Sequence, residues 1–391
     1  MSDCTLFFEA ESLLLFLLNL NCKDMSKVKI ETLTPIHIGN GNFLQRNADF
    51  VLSSQGGDSF IHVIDPKKIL DFIGVEHIDD WVLSIEKKEE SIRDFVRRYR
   101  KNAYPDDYSQ RIITNCAGAI KATDTLKECL HDGMGLPYIP GSSIKGAIRT
   151  AILATVAKDR PLEKEIRISR EKMGARRVEI ELFGRDPNND IFRFLQVGDA
   201  YFERECEIAM RMINLNVTQK TNLQDRSKSQ VVEAIGAGCD SIFQLKLAEN
   251  TYSWCKARSQ NIGDLPKEME SEPSLFVSLN RHTKDLVSDE IAYWSDISSN
   301  KEGAEDYIAS MRHILDETKN CQESKECVLR IGHGSGWRFI TGAWCEALNN
   351  FDEVIAVSRP NNGRYQEYDF PKSRRIDEDS DILGFVKLSL I

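Results

Sequence analysis

The segment from Ile139 to Arg149 holds the residues whose types and spacing best suit a chemical role. It reads Ile-Pro-Gly-Ser-Ser-Ile-Lys-Gly-Ala-Ile-Arg and begins a predicted helix. Lys145 and Arg149 are four residues apart and therefore share one face of that helix. The free N–H groups of the helix start, the helix dipole and two cations would together bind an anion such as phosphate. The candidate ligands are Gly141, Ser142, Ser143, Lys145, Gly146 and Arg149.

The presence of Gly146 requires an explanation, because a glycine inside a helix lowers helix stability by about 1 kcal/mol relative to alanine. Close approach of another backbone or of a phosphate is the usual compensation. Ser142 or Ser143 is expected to cap the helix. The alternative is a tight turn with a packing glycine and two solvated cations, and the pattern fits both interpretations. A Walker A loop is excluded because Ala147 and Ile148 follow the second glycine, where Lys and Ser or Thr are needed.

A second glycine-rich motif, Gly-His-Gly-Ser-Gly, occupies residues 332–336. On a turn between a strand and a helix, successive backbone N–H groups can form a nest that holds a phosphate. A tight turn without a ligand fits the motif equally well. It is not a nucleophile elbow, because His333 and Trp337 stand where that motif needs glycines around Ser335. The candidate ligands are Gly332, Gly334, Ser335 and Gly336.

His37 precedes Gly39 and Gly41 in a turn at the end of the first predicted strand. A histidine in this place could act as a general acid or base in phosphodiester cleavage. A single histidine at a strand end is more often structural or a hydrogen-bond donor to a ligand, so catalysis is the weaker interpretation. No set of His, Asp and Glu residues has the spacing of a metal site, and we expect neither a metal nor a cofactor.

Two further segments concentrate basic side chains. Residues 218–228 are polar and lack periodicity, which is typical of a functional or disordered loop. Their cations are Lys220, Arg226 and Lys228. Residues 370–376 place three cations beside Phe370, a combination that suits a phosphate backbone with a stacked base. These cations are Lys372, Arg374 and Arg375. Short basic runs are also common on solvated surfaces.

The elements that must position these residues follow from hydrophobic periodicity and turn signals. Strands are predicted at residues 28–38, 49–52, 60–64, 192–200, 207–217, 229–235, 242–247, 327–331 and 383–391. Helices are predicted at residues 66–73, 81–100, 143–157, 275–294, 304–318 and 337–348. Residues 262–273 resemble a linker. Alternating strands and helices with two glycine-rich turns predict two α+β units.

The charge of the chain is unevenly distributed. Its formal net charge is −10 over 391 residues. Taken over the whole chain, this negative charge is unfavourable for binding to a nucleic acid. Residues 141–177, however, carry ten basic and four acidic side chains, and acidic residues cluster at 86–90 and 377–381. Because local patches govern binding, this segregation is compatible with a polyanionic partner.

The composition, 41% hydrophobic and 29% charged, is that of a soluble globular protein. Ten cysteines without a CxxC motif favour reduced thiols and a cytoplasmic location. Residues 1–25 are expected to be an N-terminal extension outside the fold. Their apolar run, Leu13–Leu20, is too short to span a bilayer and follows no basic region, so no membrane association is predicted.

The motifs, taken in order, resemble the RAMP superfamily of CRISPR proteins. Residues 141–149 match its G-x-S-x-K-G-x-x-R helix start at Gly141, Ser143, Lys145, Gly146 and Arg149. The other resembling segments are the opening strand and turn at 34–41, the following strand at 197–199, a thumb-like insertion and return strand at 214–226 and 233–243, and the C-terminal glycine-rich loop at 329–337. The ending, residues 371–375 with 383–388, is similar to that of subunits that cap type III-A (Csm) effector filaments.

This resemblance implies two ferredoxin-like (RRM-like) α+β units with glycine-rich loops and helical insertions. The first would span residues 26–250 with its thumb-like loop near 214–231, and the second residues 251–391, of which 251–325 match no motif. The implied function is that of a non-catalytic subunit that binds crRNA, caps the filament at the crRNA 3′ end and is needed for crRNA maturation in antiviral defence. Implied partners are neighbouring RAMP subunits and recruited cellular ribonucleases. Two alternatives stay open: a metal-independent endoribonuclease using His37, and a structural cap that contacts only protein.

Overall fold

The computed structural model describes residues 25–87, 90–159, 174–259, 261–358, 370–379 and 381–391. The predicted N-terminal extension, apart from Met25, lies outside the described residues. The middle of the basic stretch, residues 160–173, also lies outside them.

The described ranges contain short and long strands in both halves of the chain. They are β1 Ser26–Thr32, β2 Gly39–Gln45, β3 Phe50–Gln55, β4 Asp58–Ile64, β5 Ser109–Asn115, β6 Thr125–Cys129, β7 Tyr138–Ile139, β8 Leu195–Val197, β9 Ala200–Tyr201, β10 Glu207–Asn216, β11 Gln224–Ile235, β12 Asp240–Leu247, β13 Glu326–Arg330, β14 Ser373–Asp377 and β15 Phe385–Leu390. The α-helices are α1 Pro66–Ile73, α2 Ile78–Lys87, α3 Ile92–Tyr99, α4 Gly141–Asp159, α5 Gly174–Phe183, α6 Glu249–Arg258, α7 Glu272–Ile297, α8 Glu305–Asn320 and α9 Phe351–Ser358.

A five-stranded antiparallel sheet has the order β13-β15-β1-β12-β8. Its central strand, β1, alternates as the sequence predicts, with Val28 and Ile30 fully buried. The apolar stripe of α4 (Ile144, Ile148, Ala151, Ile152 and Val156) belongs to the same core as these two residues, as does the start of α7. This core holds α4 against the sheet and so fixes the direction of the helix start at Gly141.

A larger, eight-stranded sheet has the order β2-β6-β11-β10-β5-β4-β3, with β14 paired to β10 off this path. Two of its pairings, β5 with β10 and β6 with β11, are parallel. Strand β2 therefore lies at one edge and β3 at the other, and the helices α1–α3 connect β4 to β5. The edge position of β2 leaves its residues largely exposed.

The observed mixture of helices and sheets confirms the predicted α+β class, and α1 has the predicted bounds because Asp65 accepts the N–H groups of Lys67 and Lys68. The single helix predicted at 81–100 is instead two, since Ser91 caps a new helix at Ile92. Residues 337–348, predicted as one α-helix, form two 3₁₀ segments, Trp337–Phe339 and Thr341–Ala347.

The predicted boundary near residue 250 remains a prediction. Strands from both sides of it occur in the five-stranded and in the eight-stranded sheet, since β13 and β15 belong to the sheet of β1, and β14 joins β10. The predicted linker 262–273 is packed, with Ile262 and Met269 in the core.

None of the described helices combines the length and the apolar character needed to cross a bilayer. The eight cysteines in the described ranges are all free thiols.

Candidate nucleic-acid interface

The two glycine-rich turns, far apart in the sequence, lie against each other. The N–H of His333 donates to the carbonyl of His37 at 2.9 Å. Gly332 has a φ of +80°, and a Cβ there would lie 2.8 Å from the His37 carbonyl oxygen. Glycine is therefore needed at 332 for both its backbone conformation and this close approach.

Strand β14 joins the same place through Arg375. A Cβ on Gly334, whose φ is +87°, would lie 3.3 Å from the Arg375 Cβ. The Arg375 guanidinium donates to the carbonyl of Lys228 at 3.1 Å. The structure thus brings together four segments that the sequence analysis treated separately. We call this the glycine-turn surface: residues 37–41, Lys127, Lys228, residues 332–336 and Arg375.

Three cations of the glycine-turn surface lack an acidic partner. Among the described residues, no carboxylate oxygen lies within 4 Å of the charged groups of Lys127, Lys228 or Arg375. Burial lowers the pKa of Lys127, and the nearby charge of Arg375 lowers it further. Burial likewise lowers the pKa of Arg375, although Asp225 opposes the shift. A bound anion would relieve the repulsion between Arg375 and Lys127.

The exposed glycines Gly39 and Gly41 shape the approach to this surface. A Cβ on Gly39 would lie 2.9 Å from the His37 imidazole, and Gly41, with a φ of +92°, borders open space. Ser335 is buried, whereas Gly334 and Gly336 are half-buried.

His37 itself is a structural residue of the turn. Its side chain is 3% exposed, and Nδ1 lies 2.7 Å from the carbonyl of Glu233, to which it donates. Burial lowers the pKa of His37 to about 4, with smaller contributions from His333 and Lys127 and against the Glu233 hydrogen bond. The imidazole is therefore neutral at pH 7 and enclosed, which fits the structural interpretation rather than the catalytic one or direct contact with RNA.

Arg374 is not a surface residue, and its predicted role as an RNA ligand is wrong. It is 2% exposed and donates to both carboxylate oxygens of Glu290, at 2.7 and 2.6 Å. The reason is strand alternation: in β14, Arg374 and Ile376 point into the core, so Arg375 points away from it. Lys372 is half-buried and has a partner within the chain.

The helix start at Gly141 packs against strand β8. A Cβ on Gly141 would lie 2.2 Å from the Val197 carbonyl oxygen, so only glycine fits. The Gly141 N–H donates to the Asp199 carboxylate at 2.7 Å. The predicted caps Ser142 and Ser143 are therefore wrong, because α4 begins two residues earlier and a distant carboxylate takes the capping role.

The two cations of this helix start have different surroundings. Arg149 pairs with Asp190 at 2.8 Å, and its guanidinium lies 4.5 Å from the centroid of the Phe183 ring. Lys145 is half-buried with no hydrogen bond or ion pair in the described part of the chain, and burial lowers its pKa, as does Arg149, against the opposing charge of Asp190. Of the two cations predicted to bind an anion at this helix start, only Lys145 has a side chain without an ion pair among the described residues.

Gly146 borders open space, which a phosphate would need in order to bind at this helix start. A Cβ added to it would meet nothing within 4 Å, and Ser142 is exposed beside it. No packing contact thus explains this glycine. A phosphate held by Lys145 could approach the helix here.

The predicted thumb-like loop is largely a β-hairpin. Strand β11 begins at Gln224, so only residues 217–223 connect it to β10. The connection is docked: the Leu223 N–H donates to the Glu302 carbonyl at 2.8 Å, between α7 and α8. Lys220, Arg226 and Lys228 are exposed, and Arg226 lies 3.6 Å from Glu378.

A buried polar cluster next to the turn was not predicted from the sequence. Glu128, His131 and Glu233 place possible metal ligands within 4.8 Å of one another. Arg111 lies among them, with its guanidinium 2.9 Å from Glu128 and 2.6 Å from Glu233. Burial raises the pKa of Glu233 to about 7, against the charge of Arg111 and with that of Glu207. Because Arg111 already supplies the positive charge, the cluster suits a structural network better than a metal. Glu128 lies on β6, His131 follows that strand and Glu233 lies on β11, so the sequence alone does not bring the third member to the other two.

A sequence model of the RAMP superfamily matches residues 29–338. The chain belongs to the RAMP superfamily. Two curated relatives, each described as the CRISPR system protein Csm5, are similar to part of this RAMP chain. The protein of Methanocaldococcus jannaschii is 28% identical over 186 residues, covering 44% of this chain and 42% of the relative. The protein of Streptococcus thermophilus is 29% identical over 154 residues, which cover 34% of this chain and 39% of the relative. The matches span about two fifths of the relatives' length.

Two solved structures share the fold of this RAMP chain. A chain of the cryo-EM structure of a Csm–crRNA–target RNA ternary complex of a type III-A CRISPR–Cas system has a TM-score of 0.66 at 20% identity, covering 93% of this chain and 100% of that one. The crystal structure of T. onnurineus Csm5 has a TM-score of 0.59 at 19% identity, and the match covers 92% of this chain and 99% of that one. These likenesses confirm the predicted ferredoxin-like α+β fold of RAMP proteins.

Proposed function

We propose that the chain is a crRNA-binding subunit of a type III-A Csm effector complex and that it holds RNA without cutting it. The observation that carries the proposal is the pair of cations Lys127 and Arg375 at the glycine-turn surface, which have no ion pair among the described residues and of which Arg375 lowers the pKa of Lys127, with the exposed Lys228 next to Arg375. The similarity to proteins described as Csm5 supports the choice of complex.

The net charge of −10 does not oppose this proposal. At physiological salt, charges beyond a Debye length of about 8 Å are largely screened. A phosphate at the surface therefore interacts mainly with the cations beside it. The backbone N–H groups of the glycine turns would add uncharged ligands to the same phosphate path.

The finer roles rest on the family resemblance. In this proposal the chain caps the filament at the crRNA 3′ end, contacts neighbouring RAMP subunits and is needed for crRNA maturation in antiviral defence. Trimming would fall to recruited cellular ribonucleases. The buried, neutral state of His37 supports a non-catalytic subunit.

The test is the salt dependence of binding to a labelled single-stranded crRNA fragment. Each neutralised phosphate contributes about −0.7 to the slope of log affinity against log salt. Replacing Lys127 and Arg375 by alanine should therefore weaken binding and flatten the slope by roughly 1.4. The matched control removes two exposed cations elsewhere, Lys67→Ala with Lys101→Ala, and should leave the slope unchanged.

Three results would contradict the proposal. Equal slopes for the two double variants would place the phosphates elsewhere. Absence of RNA binding by the folded protein would favour the cap that contacts only protein. Cleavage of repeat RNA in EDTA, lost in His37→Ala, would favour the endoribonuclease.

A further inference from the structure

We propose that a base-binding recess adjoins the glycine-turn surface at Lys127 and that one nucleobase of single-stranded RNA stacks there on Phe43. This inference rests on the proposed RNA-binding function and deepens it. The cations would hold phosphates, and Phe43 would hold a base.

Phe43 is an exposed aromatic residue held in a defined position. Its side chain is 56% exposed on the edge strand β2. The pairing of β2 with β6 is irregular between Gly39 and Phe43. The irregularity is fixed by hydrogen bonds, since the Asn42 N–H donates to the Asn40 side chain at 2.8 Å and the Asn40 amide donates to Glu128 at 2.6 Å. An exposed ring on a backbone that is already held in place loses less freedom when it binds a ligand.

Lys127 joins this ring to the phosphate-binding cations. It is the cross-strand partner of Phe43, and its ammonium lies 5.7 Å from the centroid of the ring. The same ammonium belongs to the unpaired cations of the glycine-turn surface. Sites for single-stranded nucleic acid combine a cationic path with aromatic side chains on which bases stack, and this arrangement has both.

A recess of about 180 Å³ lies beside the ring, lined by Phe43, Thr125, Lys127 and Gln230 among others. The side-chain oxygen of Gln230 is buried and accepts no hydrogen bond in the described structure. Leaving a buried acceptor unsatisfied is unfavourable. Rotation of the Gln230 side chain towards the recess would let the N–H groups on the edge of a nucleobase satisfy it. The recess therefore offers a stacking face and a hydrogen-bond acceptor for one planar, N–H-bearing ring.

The experiment compares a labelled single-stranded RNA with inorganic polyphosphate, a polyanion that has no bases. Phe43→Ala should lower the affinity for RNA by about 5-fold or more, the effect of losing one stacked base. It should leave polyphosphate binding and the salt slope unchanged. Phe43→Tyr, which keeps the ring, should bind RNA like the unchanged protein, and Gln230→Leu should weaken RNA but not polyphosphate.

The outcomes separate this inference from the proposed function. If Phe43→Ala binds RNA normally while Lys127→Ala with Arg375→Ala binds weakly, the recess is refuted and the RNA-binding surface stands. Equal losses for RNA and polyphosphate would show that Phe43 only positions Lys127, which also refutes stacking. If the unchanged protein binds no RNA, the proposed function fails and the recess fails with it.

Discussion

Arg374 and Arg375 are neighbours in one strand, and their replacement should have opposite consequences. Arg374→Met removes a buried cation that donates two hydrogen bonds to Glu290. Arg375→Met removes a cation that has no carboxylate within 4 Å among the described residues. We expect the first change to destabilise the protein and the second to weaken RNA binding.

The magnitude follows from what Glu290 retains. Breaking a buried ion pair by removing one partner costs about 3 to 5 kcal/mol of unfolding free energy. Glu290 keeps hydrogen bonds from Arg338 at 3.0 Å and Tyr307 at 2.8 Å, so the lower end, about 3 kcal/mol, is expected for Arg374→Met. Arg375→Met should cost less than about 0.5 kcal/mol, as surface changes usually do.

Urea unfolding monitored by tryptophan fluorescence measures this difference, with RNA affinity as the second readout. The pH dependence adds a third. Burial opposes ionisation, yet Arg374 and Arg338 hold the pKa of Glu290 at about 2, below its ordinary 4.5. The stability that comes from this depressed pKa is present above pH 4.5 and is lost as the pH falls towards 2. Arg374→Met should make this loss of unfolding free energy at acid pH smaller. A stable Arg374→Met protein that has lost RNA binding would refute the assignment of the two arginines.

Three further predictions concern the helix start and the buried cluster. Gly146→Ala should stabilise the free protein by up to about 1 kcal/mol, because the added methyl meets nothing and alanine favours helix; a loss of stability in urea unfolding would contradict the open site. Gly141→Ala should destabilise it by roughly 1 to 3 kcal/mol through the clash with the Val197 carbonyl, and an unchanged urea midpoint would count against that contact. Since the folded protein raises the pKa of Glu233 from 4.5 to about 7, the unfolding free energy should fall as the pH rises through that interval. Glu233→Gln should remove this fall, and a pH profile that does not change would exclude Glu233 as its source.

Helices with strong hydrophobic periodicity could be predicted from local sequence signals alone. The α1 helix was predicted at its observed bounds because Pro66 marks its start, and the apolar stripe of α4 lies in the core as predicted. The segment of β14 reads Ser-Arg-Arg-Ile-Asp and contains one apolar residue, so it was interpreted as a basic patch instead of a strand. That error assigned Arg374 to the surface.

The candidate site depends on long-range pairing that one sequence does not reveal. The glycine motifs at 37–41 and 332–336 were identified, but their contact depends on the pairing of β1 with β15 and β13 with β15. Lys127 was missed because β6 was not predicted. Its importance comes from its neighbours Phe43 and Arg375, which are distant in the chain.

The most direct test of the central claim is an electron-microscopy structure of this chain bound to crRNA within its complex. We expect phosphate oxygens within hydrogen-bonding distance of Lys127 and Arg375, along the turns at 37–41 and 332–336. RNA density on another face, with these cations in solvent or against protein, would contradict it.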